Sequence, residues 1–153
     1  MVEVVVYEAD IGWTNIELAV AKLDRVEKAN LIAELAKQYE DIVVGLPSDS
    51  VNPCSLALAY LYTLEDLKFG SRVRNKAILF LMNLLGLNQV KDVVESVSEC
   101  RAVAVIGLPN GARATLFNIL TRMGITGYSV RVEKPECAVS ELVEVTLSRV
   151  DKL

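Results

Sequence analysis

The spacing of apolar residues changes several times along the chain, and each change marks an element. Val2 to Tyr7 is short and rich in β-branched residues, and Asp10-Ile11-Gly12 follows it, which predicts a strand closed by a turn. Thr14 or Asn15 then offers an N-cap, with Glu17 in the first turn. Ile16, Ala19, Val20, Leu23 and Val26 fall at helical spacing, so a helix is expected there. A second helix is expected from Glu27 to Tyr39 with Leu31, Ile32 and Leu35 inward, then a short strand from Ile42 to Gly45 and a loop from Leu46 to Pro53. Pro53 suits the first turn of a helix that Leu56, Ala59, Tyr60, Leu64 and Leu67 carry on to Gly70, a glycine placed to end it.

Val73 to Leu85 reads as a central helix that is apolar nearly all round, and so is enclosed by other elements or by a partner. Gly86 breaks it, and Asn88 to Ser96 restarts as a short helix with Val90, Val93 and Val94. The last third reads as a strand (Ala102 to Ile106), a turn, a helix (Ala112 to Met123) and a strand (Tyr128 to Glu133). Pro135 then opens a final helix through Val139, Leu142, Val143, Leu147 and Val150. The order predicts a single α/β (α+β) domain: a small mixed sheet with packed helices and a helical lobe over 53–98.

With 153 residues, 52% of them hydrophobic, and a mean hydropathy of +0.36, the chain can bury a sizeable core in one domain. No apolar run approaches the ~20 residues of a membrane span, and MVEVVVYEAD lacks a basic leader region. A soluble, cytoplasmic protein with no membrane partner is expected. There is no histidine, which removes the commonest general base and metal ligand. Neither a metal nor a cofactor is expected. Cys54, Cys100 and Cys137 are odd in number and widely spaced, and read as buried free thiols.

Charge sharpens this picture. The net charge is −4, yet Leu67 to Lys91 holds Lys68, Arg72, Arg74, Lys76 and Lys91 with no Asp or Glu. That block is +5, so the remaining residues carry −9. A local basic surface on an acidic protein points to an anionic partner. Tyr60, Tyr62 and Phe69 lie beside it, where rings could stack on bases while cations meet phosphates; each ring alone reads rather as core. The turn Gly107–Thr115, GLPNGARAT, opens a helix as phosphate loops do, but has neither the GxxxxGK[ST] spacing nor GxGxxG. Arg113 there reads as a solvated charge. VVGLPS at 43–48 echoes VIGLPN at 105–110, as reuse of Gly and Pro in strand-to-helix turns would give.

The middle of the chain also carries a resemblance. A long helix ends in glycine, followed by a basic Ser/Asn-containing turn, an apolar helix, Gly-x-x-Gln-hydrophobic, a short helix and a strand. This resembles the small kinase-binding subunit of the KEOPS (EKC) complex, whose signature reads roughly E-[IL]-L-L-Y-L-[AS]-G-x-R-Q-I. Leu81, Leu84, Gly86 and Gln89 match in register, and Phe80, Met82 and Val90 match as apolar substitutes. Leu79, Asn83 and Asn88 stand where that family has Glu, Tyr and Arg, which marks a divergent member.

The resemblance covers about residues 50 to 133 and implies a non-catalytic accessory subunit. Such a subunit binds the 3′ CCA end of tRNA and the complex's atypical kinase subunit in threonylcarbamoyladenosine formation. Lys68, Arg72, Arg74 and Lys76 would then contact phosphates, with Lys91 and Arg113 further out. Leu84, Leu87, Gln89, Val90, Val93 and Val94 would face the kinase, Gln89 having the competing role of capping the Gly86 break. From other classes, a nucleotide- or phosphate-binding enzyme or sensor using Gly107–Thr115, and a structural dimerisation module, stay open.

Overall fold

The computed structural model describes residues 1–10, 15–73, 75–107 and 111–137. Its centre is a run of residues that no water reaches. Val4, Val5 and Val6, Leu18 to Ala21 and Ala102 to Ile106 are all fully buried although consecutive side chains point to opposite faces, so the sheet is covered on both sides. Five strands make it: β1 (Val2–Asp10), β2 (Asn15–Lys28), β3 (Ile42–Leu46), β4 (Glu99–Gly107) and β5 (Tyr128–Glu133), in the order β3-β4-β2-β1-β5. Only the β1–β5 pair is parallel; the other three are antiparallel. The sheet is therefore mixed, and with the five helices among the described residues it forms one compact α+β domain.

The helices are α1 (Ala29–Ala36), α2 (Pro53–Lys68), α3 (Lys76–Leu85), α4 (Val90–Ser96) and α5 (Gly111–Arg122). α5 lies over β2 and β4, held to the face that carries Glu8 and Glu17, and α2 crosses β1, β2 and β4 on the opposite face. α2 starts as its sequence predicts: Pro53 is at N1 and Asn52 Oδ1 accepts from the backbone N–H of Cys54 at 3.0 Å and Ser55 at 3.2 Å. Gly86 ends α3 at φ 70°, the left-handed cap a glycine takes without strain. The expectation that α3 is enclosed is met by the chain itself. Leu79, Phe80, Leu81, Met82 and Asn83 are buried in succession against α2, α4 and β3.

Two expectations are corrected. Residues 15–26 are not a helix: Asn15–Lys28 is a central strand, paired with β1 from Glu3↔Lys22 to Asp10↔Asn15 and with β4 on its other edge. A strand buried on both faces has no clean alternation, and Ile16, Ala19, Val20 and Leu23 imitate helical spacing. The helix expected from Glu27 is correspondingly shorter, because β2 runs on to Lys28 and α1 begins only at Ala29.

The thiols are also revised. Cys54 and Cys137 form a disulfide with Cα atoms 5.3 Å apart, and only Cys100 is free and buried. The pair is 83 residues apart in sequence and meets because β5 returns beside β1 at the level where α2 begins. Of the expected last helix, Pro135 to Cys137 are described and run extended beside Asp10, with Glu136 bridging to it; the rest lies outside the described residues.

Candidate functional site

α2 and α3 pack side by side and are joined by residues 69–75, so the α2 C-terminus, this loop and the α3 N-terminus lie together at one end of the pair. Lys68, Arg72 and Lys76 are gathered there and all three are exposed. Arg74 lies outside the described residues. Arg72 has no carboxylate partner among the described residues. Lys68 Nζ stands 5.7 Å from the centre of the Phe69 ring, which is 77% exposed. Lys76 Nζ donates to the backbone carbonyl of Glu40 at 2.7 Å, which orders the side chain and leaves its charge uncancelled. Ser71 Oγ accepts from Val73 N–H and Asn75 Oδ1 caps α3 by accepting from Ile78 N–H, both at 3.1 Å. An exposed ring beside three cations can bind a phosphate chain and stack a base.

Two other expected cations are placed differently. Lys91 sits beyond the far end of α3, about 15 Å of helix from Lys76, and lies 4.0 Å from Glu95 in an exposed pair. Arg113 is not a solvated charge. Its Nη2 donates to Glu17 Oε2 at 3.1 Å and Glu8 Oε1 at 3.2 Å, and its backbone N–H donates to Glu17 Oε1 at 2.9 Å. Glu17 is 2% exposed. Its hydrogen bond raises the Arg113 pKa above the ordinary value, desolvation opposes, and Glu8 adds to the rise. The start of α5 therefore already holds a carboxylate, and a phosphate at Gly107–Thr115 would have to displace it.

Of the rings beside the basic block, Tyr60 and Tyr62 are half-buried. Burial first, then the charge of Asp41, raises the Tyr60 hydroxyl pKa, as fits a ring at the margin of the core.

The apolar face divides likewise. Val93 is 2% exposed and belongs to the core, so it is removed from the expected interface. Leu84 and Leu87 are half-buried against that core, while Val90 and Val94 are 40% and 59% exposed, one turn apart on α4. Gln89 is exposed at the N-cap of α4 and its side chain makes no capping bond, which removes the competing role. Its backbone carbonyl accepts from Asp92 and Val93 N–H instead. Leu85, also exposed, completes an apolar margin that the spacing did not single out. Val94 borders a groove of about 430 Å³ between α1, β3, the start of α3 and α4, floored by Ile42 to Gly45.

Three polar clusters escaped the sequence reading. Besides Glu17–Arg113–Glu8, Thr115 Oγ1 donates to Asp41 Oδ2 at 2.6 Å, tying α5 to the start of β3. Asn83, fully buried, donates to Thr63 Oγ1 at 3.2 Å and Asp66 Oδ2 at 3.0 Å, tying α3 to α2. The available signals were a glutamate inside a strand and an asparagine inside an apolar run. Among the described residues no group of three or more Cys, Asp or Glu could hold a metal, and no single helix is long and apolar enough to cross a membrane. No protein-family model matches the chain, and no curated protein matches it.

Proposed function

We propose that this chain is a non-catalytic accessory subunit of the KEOPS complex, binding the 3′ CCA end of tRNA and the complex's atypical kinase subunit in threonylcarbamoyladenosine formation. The observation that carries the reading is the exposed cation group Lys68, Arg72 and Lys76 beside the exposed Phe69 ring, in a protein of net charge −4. A sequence-independent grip on a single-stranded RNA end needs cations for phosphates and a ring for a base, and this loop offers both. The exposed Leu85, Val90 and Val94, with the half-buried Leu84 and Leu87 beside them, suit a protein partner on the far side of α3. The two partners would then be bound at opposite ends of that helix. The role places the chain in the cytoplasm.

The test is binding of full-length tRNA and of the same tRNA lacking its 3′ CCA, at two salt concentrations. CCA-dependent binding that weakens with salt is expected. Joint replacement of Lys68, Arg72 and Lys76 by Glu should reduce affinity and flatten the salt dependence, since each neutralised phosphate contributes a slope of about 0.7 in log K for single strands. Equal affinity for both RNAs, or an unchanged salt slope in the triple variant, would refute the assignment.

A further inference from the structure

β5 is the outermost strand, with β1 as its only sheet neighbour, and no residue in it is buried. Val130 and Val132 are each 49% exposed, whereas the central strands are sealed. The start of β5 is secured by Tyr128 stacking on Phe117, ring centres 5.6 Å apart. The β1 ladder holds the strand as far as Tyr7↔Glu133, and beyond it the holds are weaker. Asp10 N–H donates to the Pro135 carbonyl at 3.2 Å, Cys137 N–H donates to the Asp10 carbonyl at 3.4 Å, and Lys134 lies 3.6 Å from Glu8 in an exposed pair. Among the described residues the covalent link there is the Cys54–Cys137 bond. Cys137 is half-buried, so a small thiol can reach it.

We infer that the Cys54–Cys137 disulfide is a reducible clasp: a dithiol reductant frees the end of β5 from β1 while the rest of the sheet stays folded. A reductant thiolate attacks Cys137 Sγ and the Sγ–Sγ bond breaks, with Cys54 leaving as a thiolate. Cys54 is the second residue of α2, where the helix dipole stabilises that anion. The reductant's second thiolate then attacks its own sulfur in the mixed disulfide and releases Cys137. The clasp gains two electrons, the dithiol is oxidised to a disulfide by the same two, and the protons of its thiols are passed to the cysteines or the solvent. Cys100 gives an internal control, because it is fully buried and labels only if the core opens.

The experiment compares the full chain before and after dithiothreitol, by iodoacetamide labelling with peptide mapping and by amide hydrogen exchange. Before reduction no cysteine should label. After it Cys137 should label and Cys100 should not. Amides at the far end of β5 and just beyond it, residues 132–137, should exchange about tenfold faster or more, with β2 and β4 unchanged. Reoxidation should reverse the change, and Cys137→Ser should show it without reductant. Labelling of Cys54 and Cys137 in the unreduced protein would overturn the proposal, as would unchanged exchange in β5 after reduction. Acceleration throughout β2 and β4 with labelling of Cys100, or failure of Cys137→Ser to fold, would make the bond a staple of the whole domain and overturn it equally.

Discussion

Gly45 is the position where this packing can be tested most sharply. It lies within β3, opposite Val103 of β4. A Cβ added there would lie 2.1 Å from Cys100 Sγ, 3.1 Å from Cys100 Cβ and 3.6 Å from Ile32 Cγ1. Non-bonded heavy atoms rest about 3.5–4.0 Å apart, so the sulfur cannot remain where it is. Cys100 and Ile32 are both buried; Ile32 borders the groove between α1 and β3, so Cys100, in direct conflict, is the side chain that must give. Overpacking of this kind costs about 1–3 kcal/mol, and the unfolded-state advantage of Ala over Gly returns about 0.4–1 kcal/mol. Gly45→Ala should therefore destabilise by about 1.3 kcal/mol, lowering Tm by about 3–5 °C for a domain of this size. Cys100→Ala removes the atom in conflict, so the double variant should be at least as stable as Cys100→Ala alone, a coupling of about 2 kcal/mol. Urea unfolding of the four proteins in one buffer, with m-values compared, measures it. Additive effects of the two substitutions would refute the contact, and with it the seating of β3 against β4 beneath α1.

Other consequences can be checked with the same melts. Burial raises the Cys100 thiol from 9.0 to about 11. The folded state thus favours the neutral thiol, and the associated stability is complete below pH about 9 and is lost as pH rises through about 11. Over that window the wild type should lose up to about 2–3 kcal/mol more than Cys100→Ala; parallel curves would dismiss the burial effect. Glu17→Ala should cost about 2–3 kcal/mol by stripping Arg113 of its buried partner, and adding Arg113→Ala should recover part of the loss; a neutral Glu17→Ala would show that the cluster does not anchor α5. Val94→Asp should keep the far-ultraviolet circular dichroism of the wild type and abolish capture of the kinase subunit, whereas Val93→Asp should unfold the domain. Unimpaired capture by folded Val94→Asp would remove α4 from the proposed interface.

How far the chain could be read depended on how each element meets its surroundings. α2 and α3 have strong local punctuation: Asn52 and Pro53 at one start, Gly70 past the end of α2, Asn75 and Gly86 around α3. Such signals act within a few residues and survive without tertiary knowledge. β2 carries no such mark, and its burial on both faces erases the period of two that would have revealed it. The echo between residues 43–48 and 105–110 also changes meaning in three dimensions. Val43 and Val105 are paired directly across β3 and β4, and Gly45 sits inside a strand whereas Gly107 ends one. Residues 43–45 and 105–107 belong to neighbouring strands that run in opposite directions. The ion cluster and the disulfide join residues about 80 to 100 positions apart, beyond the reach of any local pattern. The basic block was legible because charge is additive along a chain, but which of its members stay available was not. Only the fold reveals that Arg113 is engaged by Glu17 and Glu8.

That last distinction bears on why the α2–α3 loop is the better place for an anion. The chain matches Arg25 with Glu27, Arg113 with Glu17 and Glu8, and Arg131 with Glu3 and Glu133. Its acidic excess would allow the same at Arg72, yet none of the described carboxylates is brought to it. Lys76 moreover occupies the first turn of α3, where the helix dipole opposes a positive charge by about 0.3–1 kcal/mol. Its hydrogen bond to the Glu40 carbonyl ties α3 to the segment before β3 but brings no negative charge to offset that cost. A phosphate at the α3 N-terminus reverses the sign of that cost, because it meets the cations and the positive end of the helix together. At the start of α5, by contrast, the same dipole already holds Glu17. The two helix starts differ in whether the protein has supplied its own anion, and the one it leaves without is bordered by Lys68, Phe69, Arg72 and Lys76.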